Sequence, residues 1–106
     1  MTSFEPRVRA DSWSATNPNC SARFQMEADA VPDVLSRILN FLAMQYLVPD
    51  HLAVIRRGDL LCIELQVGEL SWHRAEVICN KMRNLVDVAW VQLSDARQPA
   101  EMVQAS

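Results

Sequence analysis

Between Cys20 and Ser94 the apolar spacing of this chain changes period five times, and that succession restricts the fold more than any other feature. Cys20, Ala22, Phe24 and Met26 alternate with Ser21, Arg23 and Gln25, the period-two pattern of a half-buried strand. From Val31 the period becomes helical. Val34, Leu35, Ile38, Leu39, Phe41, Leu42 and Tyr46 cover an arc of roughly 160°, with Ala43 beyond its margin, opposite Asp33, Ser36, Arg37 and Asn40. Asp29 is suited to cap this helix and Pro32 is tolerable in its first turn. Pro49 disfavours helix at Val48 and helps to end it. His51 to Arg57, rich in Leu, Val and Ile, predicts a second strand, and Arg57-Gly58-Asp59 a tight turn in which Gly58 takes a positive φ. Leu61, Ile63, Leu65 and Val67 then line one side of a third strand, with Gly68 expected just past its end. Ser71 caps a second helix whose apolar positions are Trp72, Ala75, Ile78, Cys79, Met82 and Leu85. Val86 to Leu93 closes the domain as a strand apolar on both phases, so pattern alone leaves its inward set open.

The order β-α-β-β-α-β predicts an α+β, ferredoxin-like βαββαβ fold, a four-stranded antiparallel sheet with two helices on one face. Right-handed crossovers give sheet order 4-1-3-2. Residues 1–19 read as a flexible N-terminal tail in which Trp13 is the one anomaly, 20–94 as the domain, and 95–106 as a flexible C-terminal tail. Cys20 faces the helices and Cys62 faces away, which disfavours a disulfide between them.

Composition removes several kinds of function. Two glycines, ten positions apart, cannot make a loop that cradles phosphates. Thirteen acidic against ten basic residues, a net charge of −3, give no electrostatic drive toward nucleic acid. RNA-recognition modules share this strand order but stack bases on aromatic residues of the first and third strands. Here the third strand has none, and Phe24 is in phase with the buried set. The longest apolar runs, such as Leu52 to Ile55, are far short of the ~20 residues that span a bilayer, and the polar N-terminus lacks the apolar stretch of a signal peptide. The expected location is cytoplasmic, with no membrane partner.

Catalytic chemistry is not legible. Three widely spaced cysteines without a CxxC, and two histidines (His51, His73) outside any ligand spacing, predict no metal site and no cofactor. Asp29 and Asp33 read as helix-start residues rather than as paired acids. A small enzyme using His51 on the sheet face lacks a nucleophile or acid–base partner. A binding module is the better expectation: Leu60, Trp90, Leu52 or Ile55, Val77 and Met44 exceed what one small core can bury, and an open sheet is commonly covered by a second copy.

The segment Met82-Arg83-Asn84-Leu85-Val86-Asp87-Val88-Ala89-Trp90-Val91 resembles the L-x-K-L-V-D-V-x-x-V signature of acetolactate synthase small regulatory subunits. Ser21-Ala22-Arg23-Phe24 is similar to the first strand of the short, valine-insensitive type, and Val34-Leu35-Ser36-Arg37-Ile38 to the L-S-R-V of the family's first helix. The resemblance covers about Cys20 to Leu93. It implies an ACT domain, a regulatory module that forms homodimers through its sheet, binds the thiamine-diphosphate-dependent catalytic subunit of branched-chain amino acid biosynthesis and raises its activity. It implies no catalytic residue. A stand-alone dimeric ACT-like sensor of an amino acid or another small metabolite is the alternative. As in the short type, no second C-terminal domain is expected.

Effector-sensitive members carry Asn and Gly in the loop before the first helix, where this chain has Ala30 and Asp33, and a further Asn where it has Val48. The effector-loop positions are thus Asp29, Ala30, Val31, Pro32, Asp33 and Val48. An α-amino acid needs amide donors for its carboxylate and a close backbone approach. Ala30 and Val48 offer no side-chain donor and Asp33 adds a like charge, so binding there is expected to be weak or lost. Tyr46 stands where the family often ends its helix with glycine.

Overall fold

A computed structural model describes residues 20–97. Trp13, residues 1–19 and residues 98–106 of the expected tails lie outside them. The elements are β1 (Cys20–Asp29), α1 (Val34–Met44), β2 (His51–Arg57), β3 (Leu60–Leu70), α2 (Trp72–Met82) and β4 (Val88–Asp95). They form one antiparallel sheet in the order β2-β3-β1-β4, the order expected from right-handed crossovers. Ala22, Phe24, Met26 and Ala28 of β1 and Ile63, Leu65 and Val67 of β3 are buried together with Val34, Ile38 and Leu42 of α1 and Ala75, Ile78, Cys79 and Met82 of α2. One side of the sheet therefore lies under both helices, and the other carries no described element. No helix among the described residues is long and apolar enough to cross a membrane.

Four local readings change. Asp29 does not cap α1. It is the last residue of β1, where its amide donates to the Asp87 carbonyl at 2.8 Å, and the next amide, Ala30, donates to Asp59 O at 2.8 Å. These bonds keep the chain extended past the point where a helix was expected. Asp33 takes the N-cap position without a side-chain cap bond, because its carboxylate pairs with Arg37 one turn on.

At its other end α1 stops before Pro49 acts. Tyr46 lies outside the helix, 93% exposed, with φ +61. Its backbone adopts the left-handed conformation that a helix-ending glycine takes without a Cβ penalty. Gly68, expected beyond the third strand, lies inside β3. Its amide donates to Asp50 Oδ2 at 2.9 Å, and a Cβ there would stand 2.9 Å from the same oxygen, so the absent side chain makes room for the carboxylate. Four residues of β3 (67 to 70) lie opposite three of β1 (20 to 22), a bulge in which Glu69 takes φ +54 and Leu70 returns to the buried side.

β4 starts at Val88, two residues later than expected, after a turn at Asp87 (φ +72), and runs through Asp95. A second bulge explains its two apolar phases. Ala28 pairs with Val88 and Glu27 with Trp90, which leaves Ala89 as the extra residue. Val88 and Val91 consequently face the same side although they are three positions apart, and Trp90 turns outward.

Candidate functional site

The helix-free face of the sheet is built from cross-strand rows. The pairing of β2, β3, β1 and β4 aligns His51, Gln66, Arg23 and Ser94 in one row, then Ala53, Glu64, Gln25 and Gln92, then Ile55, Cys62, Glu27 and Trp90. The last row is apolar at both ends. A shallow groove of about 290 Å³ runs across it, with Ile55, Cys62, Glu27 and Trp90 in its lining. The Trp90 indole N–H donates to Glu27 Oε1 at 3.1 Å, which holds the ring against the face while leaving it 45% exposed.

Arg23 anchors the opposite end. Although it points to the helix-free side, it is only 5% exposed. Its guanidinium donates to the carbonyls of Asp95 and Ala96 at 3.3 and 2.9 Å, and Nε lies 3.6 Å from Glu64 Oε2. Glu64 also accepts from Gln66 Nε2 at 2.9 Å and has His51 Nε2 at 3.8 Å. His51 thus lies beside the Arg23–Glu64 pair, and His73 is an exposed residue of α2. Among the described residues no group of three or more His, Cys, Asp or Glu side chains gathers to hold a metal ion.

Cys20 of β1 and Cys79 of α2 are buried, and Cys62 opens onto the helix-free face, so the opposite orientations of Cys20 and Cys62 agree with the strand phases. Burial pushes the Cys20 thiol above its ordinary value, against an opposing hydrogen bond from the Trp72 backbone. Burial likewise raises Cys79, against the nearby Arg83 charge. A raised pKa leaves less thiolate at neutral pH, and the thiolate is the nucleophile. Brief iodoacetamide treatment of the folded chain is therefore expected to alkylate Cys62 alone, with all three thiols modified in denaturant. Peptide mass mapping checks this.

The effector-loop positions do not share one pocket within a chain. Asp29, Ala30, Val31, Pro32 and Asp33 lie before α1 and Val48 lies beyond its far end, about 16 Å away by helix length. Around Asp29–Asp33 the backbone is occupied. Besides the two amides above, Val31 N–H donates to Asp29 O at 2.8 Å and Val34 N–H to Val31 O at 3.3 Å. Val48 is exposed and borders a separate cleft of about 390 Å³ with Arg74 and Gly68.

Two of the three segments that carried the family resemblance meet in space. Arg37 Nη1 donates to the Val86 carbonyl at 3.2 Å and lies 3.4 Å from Asp87 Oδ2. It thereby joins the Leu35-Ser36-Arg37 turn of α1 to the Leu85-Val86-Asp87-Val88 turn ahead of β4. Sequence reasoning missed this tie, together with the Trp90–Glu27 bond and the burial of Arg23. Arg23 and Glu27 sit at outward strand phases, where a charged side chain is the ordinary expectation and signals nothing.

Comparison with known proteins follows the same lines. The sequence model of the ACT-like domain family matches residues 14–100. No curated protein matches the chain. Among solved structures, the ACT domain of GTP pyrophosphokinase from Chlorobium tepidum is similar with TM-score 0.64 at 9% identity, over 72% of this chain and 99% of that one. A homoserine dehydrogenase from Thiobacillus denitrificans gives TM-score 0.61 at 20% identity, over 78% of this chain and 18% of that one. The regulatory subunit of aspartate kinase from Thermus thermophilus, in ligand-free form, gives 0.57 at 11%, over 76% and 53%. At these identities the likeness is one of fold.

Proposed function

Since this chain belongs to the ACT-like domain family, whose domains are regulatory rather than catalytic, we propose that it is a non-catalytic small subunit that docks on the catalytic subunit of acetolactate synthase and activates it. The observation that carries this reading is the Arg37–Asp87 tie. Two of the three motifs that resemble the family's small subunits are far apart in sequence, and they form one joined corner of the fold. The face with Trp90, Ile55 and Cys62 offers the synthase a contact surface on which exposed apolar side chains flank Glu27. A second copy pairs along β2, an edge strand exposing Leu52, Val54 and Ile55, and forms a homodimer that extends the sheet.

The test is to mix the purified chain with the catalytic subunit and follow both co-elution and acetolactate formation. Co-elution with a raised rate is expected, and neither occurring would overturn the proposal. Effector control is expected to be lost, because the loop amides at Asp29, Ala30, Val31 and Val34 are already bonded and Asp33 is paired with Arg37. Titration calorimetry with valine, leucine and isoleucine should show no saturable heat at sub-millimolar concentration. Saturable binding would revive the alternative of a stand-alone amino-acid sensor, for which the cleft beside Val48 and Arg74 is the natural location.

A further inference from the structure

The two edges of the sheet are finished differently. β2 is bare: among the described residues no side chain bonds to the backbone of His51–Arg57, and six of its seven residues are exposed. β4 is also an edge strand, but Arg83 at the C-cap of α2 reaches across to it. Its Nε and Nη2 both donate to the Val91 carbonyl, at 3.1 and 2.9 Å, and Nη1 is held by Asn80 Oδ1 at 2.7 Å. Arg83 thereby spans the cleft of about 540 Å³ between α2 and β4, at the middle of the strand. A bidentate charged donor on an edge carbonyl occupies the position that a new strand's amide needs.

The strand most suited to that position is β2 of a second copy. It has seven residues against eight in β4, and in a single chain its one open edge can take either a second β2 or a β4, so the two pairings compete for it. Antiparallel pairing brings the Arg57 end of β2 to the Asp87 end of β4, and His51 toward Asp95. The two kinds of contact differ in symmetry. β2 against β2 is two-fold and closes at a pair, whereas β4 against β2 is head-to-tail, keeps the helices on one side and propagates without end.

We infer that Arg83 closes the β4 edge against β2 of a second copy, so that self-association through the sheet stops at a closed pair. This rests on the reading of β2 as the self-pairing edge. The test compares wild type, Arg83→Ala and Arg83→Ala/Val54→Lys by sedimentation over about a tenfold range of concentration. A charge at Val54 blocks the β2 edge. Arg83→Gln repeats the comparison with a shorter donor, and far-UV circular dichroism confirms that each variant is folded.

Wild type is expected to stop at two chains. Arg83→Ala is expected to gain mass with concentration, by roughly a doubling or more, and Val54→Lys should remove that gain. An Arg83 variant that keeps the wild-type mass throughout overturns the inference, as does growth that persists with the β2 edge blocked. A wild type that stays monomeric overturns the β2-dimer reading instead, while growth of Arg83→Ala would still establish the guarded edge.

Discussion

Phe24→Ala is expected to lower the unfolding free energy by about 3–5 kcal/mol, read from the urea midpoint and slope. Phe24 is fully buried on β1, a central strand, with Leu65 of β3 and Leu93 of β4 as its cross-strand partners. Leu65 is itself buried, and Leu93 packs against the core. The backbone around Phe24 is held on both sides by ladder bonds, so the space vacated by the ring cannot close by collapse. The residual cavity adds its own cost to the lost transfer energy. Small domains have only about 5–15 kcal/mol to lose, and the variant should be partly unfolded at moderate temperature. Phe24→Leu, which refills most of the volume, should cost much less. Equal losses in the two variants would show that the ring does not fill the layer between sheet and helices.

Arg23→Met is expected to cost about 2–3 kcal/mol, on the opposite side of the same strand. The substitution keeps the aliphatic stem and removes the donors. The Asp95 and Ala96 carbonyls lose the guanidinium, and Glu64 loses the cation beside it. Removing one member of a buried charged set costs more than the set contributes, because the remaining groups stay desolvated. A Glu64→Gln partner variant completes a double-mutant cycle. The double variant should lose less than the sum of the two single losses. Strict additivity would mean that Arg23 acts through the carbonyls alone.

The alternating and helical spacings made most of the fold legible: six elements in order, the sheet order, the Gly58 turn and the Ser71 cap, whose hydroxyl accepts from the Arg74 amide at 3.1 Å. What stayed illegible has one physical form. A bulge changes the face of every residue after it, and at Ala89 no residue type announces it. Ala89 hid the inward phase of β4, and the Gly68–Glu69 bulge hid the last turnback of β3. The Asp29 cap failed for a different reason: a tertiary bond to Asp87, 58 positions away, outweighed a local preference. The candidate face was the least readable part. Its distinguishing features are the Trp90–Glu27 bond and the burial of Arg23, and both depend on cross-strand neighbours rather than on spacing.

The two bulges also bear on how the chain folds. They lie at opposite ends of β1, one against β3 and one against β4, and each fixes which residues may face each other. β1 therefore has one acceptable alignment with each neighbour. Phe24 finds Leu65 forty-one positions later in the chain and Leu93 sixty-nine positions later. Only β2 and β3, joined by the Gly58 turn, align through nearby residues. Hairpin closure is the fast step for such a topology, and threading β1 between two distant partners carries the entropic barrier. The rate at which this sheet assembles is governed by its middle strand rather than by its edges.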